Sequence, residues 1–414
     1  MLTPHEAWSL VVGQTARLAP TDRPLADALG CVLAEDITGD RDDPPTDRSA
    51  MDGYAVRFAD VASPPVVLAV CAELPAGVAP PETPITSGQC ARIFTGGVVP
   101  PGADAVIRQE DTAHPLPEGN GRCAETETVT VLKPPKPGEN IRRCGENVRA
   151  GCLALAHDCV LTPARLGVCA LMGRTTVSVF RRPVTTIIST GEEIRQAGEP
   201  VQPHQTRDAN GPMLATALRE NGFRVDACEC VGDVPDQIRG AIAAAETRSD
   251  VVVLTGGVSV GAHDYVPAVV SSLHMTTHFH HIAMKPGRSI LFASSVAGKQ
   301  LWGLPGNPVS ALHGCHEFVL PALRIMAGRP QLSVRPALIL PLAEAVRARG
   351  GRQEYRLGRL TERGECGQVA PVPSCGSGDL VAAAHADGMF VIPVDLRAIE
   401  AGTLVQFHPW RAVS

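Results

Sequence analysis

Four apolar residues in succession, Val251 to Leu254, broken at once by Thr255, Gly256 and Gly257, constrain this chain more than any other stretch. The run is too short for a helix and too unbroken for a strand with one wet face. It predicts a strand buried on both faces of a parallel sheet. Paired glycines let the backbone turn tightly and leave its N–H groups open to an anion. A second tight segment, Ser259 to Gly261, delivers Asp264 a few residues beyond the strand's end. In an open α/β sheet, ligands bind at the carboxyl ends of the strands.

Two further stretches repeat the pattern. Val184 to Thr190, β-branched almost throughout, breaks into Gly191, Glu192 and Glu193. Leu301 to Leu304 breaks into Pro305, Gly306, Asn307 and Pro308. Asn307 fits the cap of a helix with Pro308 in its first turn, so a positive helix end faces the same edge. Between these strands, Asn210 and Pro212 open a helix that Gly222 ends, and a strand follows around Val225 to Val231. Asp233 precedes a helix carrying Ile238, Ile242 and Ala245, and reads both as its N-cap and as a carboxylate at a strand end. Strand and helix in alternation predict a doubly wound parallel sheet over residues 178–328. Lys285 and Arg288 flank a Pro-Gly turn beside it, a pair of cations suited to an oxyanion or phosphate.

At 414 residues the chain exceeds one core, and at roughly 150 residues per domain about three units are expected. Residues 1–39 and 147–177 carry helical periodicity, whereas 40–146 holds short β-like runs between Pro/Gly turns and is expected to be inserted into that helical segment. Within it, Asp52-Gly53 reads as a turn, and Arg142 with Arg143 as phosphate ligands or solvated charges. Residues 329–414 turn β-like again and suggest a small barrel, with a loop at Cys375 to Asp379 able to reach a neighbouring site. A net charge of −6 with no basic run argues against a nucleic-acid binder. Thirteen dispersed cysteines with no C-x-x-C pair read as reduced thiols, and no apolar run nears the ~20 residues that span a bilayer. The histidines at 274, 278, 280 and 281 form no zinc pattern. The expected location is cytoplasmic, with no membrane partner.

The segments SAMDGYA (49–55), TGG with PGADAVI (95–107), NIRRCGEN (140–147), STGEE (189–193), TGGVSVGAHDY (255–265), MKPGRS (284–289) and LPGNPVSA (304–311) together resemble molybdopterin molybdenumtransferase, the MoeA and gephyrin E-domain family. The resemblance implies a multidomain α/β plus β homodimer built from the four parts above. It implies a reaction in which molybdate enters the dithiolene of adenylylated molybdopterin and AMP is released. Both substrates are anionic and suit Gly256, Gly257, Ser259, Lys285, Arg288, Asn307 and Ser310. Asp233 and Asp264 suit Mg²⁺ on the pyrophosphate. Glu193 and Asp52 suit acid–base work, with Asp52 reaching in from the other subunit. Thr95, Arg142, Asp208 and Ser377 match positions that line the family's cleft. A molybdopterin adenylyltransferase and recipient apo-molybdoenzymes are the partners such a reaction implies. Two positions depart from the bacterial pattern: Asn147 stands where Asp usually closes the motif, and His281 where Lys often precedes MKPG. Molybdopterin adenylyltransferase, whose α/β domain resembles residues 178–328, is the competing enzyme, and a non-catalytic molybdopterin carrier or scaffold of the same fold is the alternative from another class.

Overall fold

The computed structural model describes residues 1–113, 128–259, 264–330, 334–364 and 366–411. The chain divides into two compact units, one of Met1–Glu35, His157–Pro163 and Thr176–Ser414, the other of Asp36–Ala156 and Ala164–Thr175.

The first unit is organised by a six-stranded sheet in the order Arg224–Val231, Val184–Thr190, Val251–Thr255, Gln300–Leu304, Leu291–Ser294, Thr276–His280. The Val251–Thr255 strand is buried at every residue, and its side chains divide between two cores. Val251 and Val253 join one with Ile187, Leu214 and Trp302, while Val252 and Leu254 join the other with Ile188, Ile238 and Ile242. Period-two alternation thus gives each sheet face its own apolar layer, and helices cover both.

The expected parallel sheet needs one correction. Its first four strands are mutually parallel, but Leu291–Ser294 runs antiparallel to both of its neighbours, Gln300–Leu304 and the edge strand Thr276–His280. The cause is local: only Ser295 to Lys299 joins Leu291–Ser294 to Gln300–Leu304, with Ser295 N–H donating to Lys299 O at 2.9 Å. Five residues make a hairpin, whereas a parallel return needs a crossover of a dozen or so. The N-terminal segment is also less helical than expected. The helix Pro4–Gln14 carries the Thr3–Glu6 capping box, but Leu18 N–H donates to Met326 O at 2.8 Å and Pro20–Pro24 is a strand paired with Thr176–Phe180. Tertiary hydrogen bonds overrode the apolar periodicity there.

Residues 334–411 add a nearly closed sheet in which Gln353–Arg363 pairs Cys366–Pro371 on one side and Gly388–Ile392 on the other, followed by Leu404–Pro409 and Leu338–Pro341. A bridge from Leu342 to Val369 brings the ends together. Phe390 and Ile392 fill its interior, and Met389 and Val391, facing outward, join the core shared with the α/β sheet. The two-residue strand Met284–Lys285 pairs in parallel with Gln353–Glu354, so the Lys285 turn is fastened to this sheet.

In the second unit a six-stranded sheet runs Ala105–Arg108, Gly53–Val56, Gln89–Ile93, Val66–Leu74, Thr128–Val131, Thr112–Ala113. Gly53 is not the second half of a turn but the first residue of a buried strand. A Cβ there would lie 1.9 Å from Ile107 O, so glycine is required by close strand approach. No helix among the described residues is long and apolar enough to cross a membrane.

Candidate functional site

A cleft of about 1310 Å³ opens at the carboxyl ends of the parallel strands in the first unit. Of the positions expected to bind or react, Glu193, Asp208, Asp233, Gly256, Gly257, Ser259, Asp264, Lys285, Arg288, Asn307, Ser310 and Ser377 all line it. The tight segment expected at Ser259 to Gly261 lies outside the described residues from 260 onward.

The floor is a pair of interlocked strand ends. Asn210 Nδ2 donates to Thr255 Oγ1 and to Gly306 O, both at 2.8 Å, and Gly256 N–H donates to Leu304 O at 3.1 Å. Gly256 and Gly257 have φ of +96° and +63°, and a Cβ on Gly256 would meet Thr190 O at 2.4 Å. Only glycine fits that conformation and that distance. Gly256→Ala is therefore expected to cost on the order of 1–3 kcal/mol in urea unfolding. An unchanged transition midpoint would show that the turn relaxes freely. Thr190 Oγ1, beside it, is buried without a hydrogen-bond partner.

Asp208 plays a different part from the other carboxylates. It accepts from Ser189 Oγ at 2.8 Å, Gly211 N–H at 2.9 Å and Cys230 Sγ at 3.4 Å, which ties the first turn of the Asn210–Glu220 helix to two strands. Its oxygens are committed to the scaffold. Asp233 is also not the helix N-cap expected from sequence. Val234 holds that position, and Asp233 accepts the Glu192 N–H instead. Burial raises its pKa above the usual carboxylate range, and Glu193, Glu192 and Asp264 nearby raise it further. Carboxylates this close together raise one another's pKa, which favours a cation or a shared proton between them. Among the described residues no three His, Cys, Asp or Glu side chains form a metal cage. Mg²⁺ needs none: one or two carboxylates, waters and substrate phosphates complete its shell, and the oxygen donors here fit it.

Opposite charge comes from the Lys285 turn. Ile282 N–H donates to Arg288 O at 2.8 Å and His281 N–H to Ile290 O at 3.1 Å, closing the loop that carries Lys285 and Arg288. Neither cation is paired with a carboxylate among the described residues. His281 has φ of +81°, stacks on His280 at 3.8 Å, and is held below the ordinary histidine pKa by burial first and then by His280 and Arg288. The position is neutral here, where a lysine would add charge.

Asn307 does precede the Pro308 helix as its N-cap, though its side chain makes no capping bond. The helix end offers less than expected, because Pro308 has no N–H and Val309 N–H already donates to Ser377 O at 3.0 Å. That bond also brings the 375–379 loop onto the cleft. Arg347, Arg352 and Arg356 line the same space and were missed from sequence. The signal was available: RARGGRQEYR is the chain's densest arginine run. Arg356 pairs with buried Glu354 at 2.7 Å, which holds it on the strand next to Met284–Lys285.

Three expected residues lie in the second unit. Asp52 Oδ1 accepts from Thr95 N–H at 2.7 Å and Thr95 Oγ1 at 2.8 Å, so two positions singled out separately are one element. Those bonds, the backbone one foremost, lower the Asp52 pKa. It is held as an ionised acceptor. Arg142 is held by Glu146 and Asn147 in a loop that also engages Asp42, Asp43 and Asp47.

Comparison with known proteins covers the chain. Residues 2–173 match the MoeA N-terminal region (domain I and II), 186–325 a probable molybdopterin binding domain, and 340–410 the MoeA C-terminal region (domain IV). The chain is 35% identical over 398 residues to molybdopterin molybdenumtransferase 2 of Mycobacterium tuberculosis, covering 94% of each. It is 32% identical over 413 residues to molybdopterin molybdenumtransferase of Haemophilus influenzae, covering 99% of each. A crystal structure of a molybdopterin biosynthesis MoeA protein from Pyrococcus horikosii superposes with a TM-score of 0.81 at 29% identity over the whole of both chains. Strand-end cleft, domain content and relatives agree: this chain belongs to the molybdopterin molybdenumtransferase family.

Proposed function

We propose that this protein is a transferase of molybdenum cofactor biosynthesis that inserts molybdate into the dithiolene of adenylylated molybdopterin and releases AMP. The observation that carries the reading is a single rim on which two cations without a carboxylate partner among the described residues, Lys285 and Arg288, share a cleft with a carboxylate cluster around Asp233. A neutral ligand would need neither. A dianionic oxyanion and a pyrophosphate need the cations, and the carboxylates would suit a divalent metal that offsets pyrophosphate charge.

In this account Lys285, Arg288 and Arg356 attract and orient the anions, and the open backbone of Gly256 and Gly257 lets the pterin approach the strand ends. Asp233 and Asp264 would hold Mg²⁺, which would supply charge neutralisation for the pyrophosphate. Glu193 exchanges protons with the oxo group that leaves molybdate as water. Asp52, kept ionised by Thr95, and Arg142 complete the cleft from the partner subunit of a cytoplasmic homodimer with four parts per chain. The upstream molybdopterin adenylyltransferase and the recipient apo-molybdoenzymes are the partners of the same proposal.

The experiment is AMP release from adenylylated molybdopterin and Mg²⁺, with and without molybdate. Molybdate-dependent release supports the transferase. Tight binding without release moves the protein to the carrier or scaffold class.

A further inference from the structure

We propose that Asp43 is a positioning residue for this reaction: through the amide of Asn147 it fixes the guanidinium of Arg142. The inference rests on the reading in which Arg142 meets the substrate. Arg142 Nη2 donates to Asn147 Oδ1 at 3.0 Å, and Asn147 Nδ2 donates to Asp43 Oδ2 at 2.7 Å. A guanidinium can only donate and a carboxylate can only accept, so the group between them must do both. An amide does so, and its two neighbours leave it one orientation.

The backbone holds the chain of contacts in place. Asp43 N–H donates to Val148 O at 2.8 Å and Asn147 N–H to Asp43 O at 2.9 Å, so the two segments run side by side. Arg142 Nε donates to Glu146 Oε1 at 2.6 Å. With Nε and Nη2 engaged, the Nη1 edge of this half-exposed side chain has no partner among the described residues. That edge is held outward for an anion.

An aspartate at 147 would still satisfy Arg142 but would face Asp43 with no proton between them, adding a negative charge beside the anion-binding guanidinium. Moving the amide to position 43 at the same time repairs the pair without changing the charge.

The test is this reciprocal swap. Asn147→Asp alone is expected to lower kcat/KM for adenylylated molybdopterin on the order of tenfold, chiefly through KM, the size of one charge-assisted hydrogen bond. The Asp43→Asn, Asn147→Asp double variant is expected to return close to wild type, and melting temperature is followed in all. A single variant with wild-type KM, a double variant no better than the single, or a KM effect that merely tracks the melting temperature overturns the proposal. Calorimetric affinity for adenylylated molybdopterin reads the same swap when turnover is absent, so failure of the transferase reading and failure of the pairing give different results.

Discussion

Asp233→Asn is expected to raise the melting temperature of the ligand-free protein at neutral pH while lowering AMP release about a hundredfold or more, the several kcal/mol that a metal contributes to transition-state charge. The opposite signs come from one cause. Asp233 is half-buried near Glu193, Glu192 and Asp264, and its pKa is raised. The sign follows from proton linkage: the folded state binds the proton more tightly than the unfolded one, so this contribution is full below the ordinary carboxylate pKa and is lost as pH rises through the folded value. At neutral pH the ionised group strains the apo fold, and a neutral amide removes that strain along with the charge proposed to hold Mg²⁺. Added Mg²⁺ should accordingly raise the wild-type melting temperature and leave the variant's unchanged. A variant that melts lower than wild type, or one with wild-type AMP release, would contradict the assignment.

Glu317→Ala is expected to destabilise the protein by about 3–5 kcal/mol, the cost of breaking a buried ion pair from one side. Glu317 is 2% exposed, on a π-helical turn, Cys315–Val319, that interrupts the helical run between Pro308–Gly314 and Leu320–Met326. It pairs with Arg335, accepts from Tyr355 OH at 3.2 Å, and accepts from His408 Nδ1 at 2.7 Å. Burial, reinforced by Arg335, pushes the His408 pKa down to about 4, so at neutral pH the ring is uncharged and Nδ1–H is the donor. Arg335 also lies over Trp8, 4.9 Å from the ring centroid. Removing the carboxylate leaves a largely buried guanidinium whose remaining close contact among the described residues is that ring. The network reaches function through Tyr355, which lines the cleft between Glu354 and Arg356. Urea unfolding of the variant gives the cost directly. A loss under about 1 kcal/mol, the size of an exposed pair, would mean that Arg335 finds water or another acceptor.

How much of this was legible in the sequence depended on whether the signal was local. The four-residue apolar run at Val251 stated its own two-sided burial, and the glycine breaks after three strands marked the rim. Lys285, Arg288, Asp233 and Asp264 were readable for the same reason: each sits within a few residues of a chain-reversing signal. The arginine run of 347–356 was visible, but its place at the cleft was not, because Arg356 belongs to a strand whose pairing with Met284–Lys285 is set by tertiary contact. Asp208 shows the converse. It lines the cleft as expected, yet three protein donors occupy it, and sequence carries no record of whether a carboxylate faces a ligand or its own scaffold. That the Asn147 amide donates to Asp43, distant in sequence, is likewise visible only in the fold.

The measurement that most directly tests the central claim is the stoichiometry of the product. Purified protein is supplied with adenylylated molybdopterin, Mg²⁺ and molybdate, and AMP released and molybdenum bound to the pterin are counted together. One molybdenum inserted for each AMP released, with neither formed when molybdate is withheld, is the predicted result. AMP released at the same rate without molybdate, or molybdenum-free pterin after full AMP release, would contradict it.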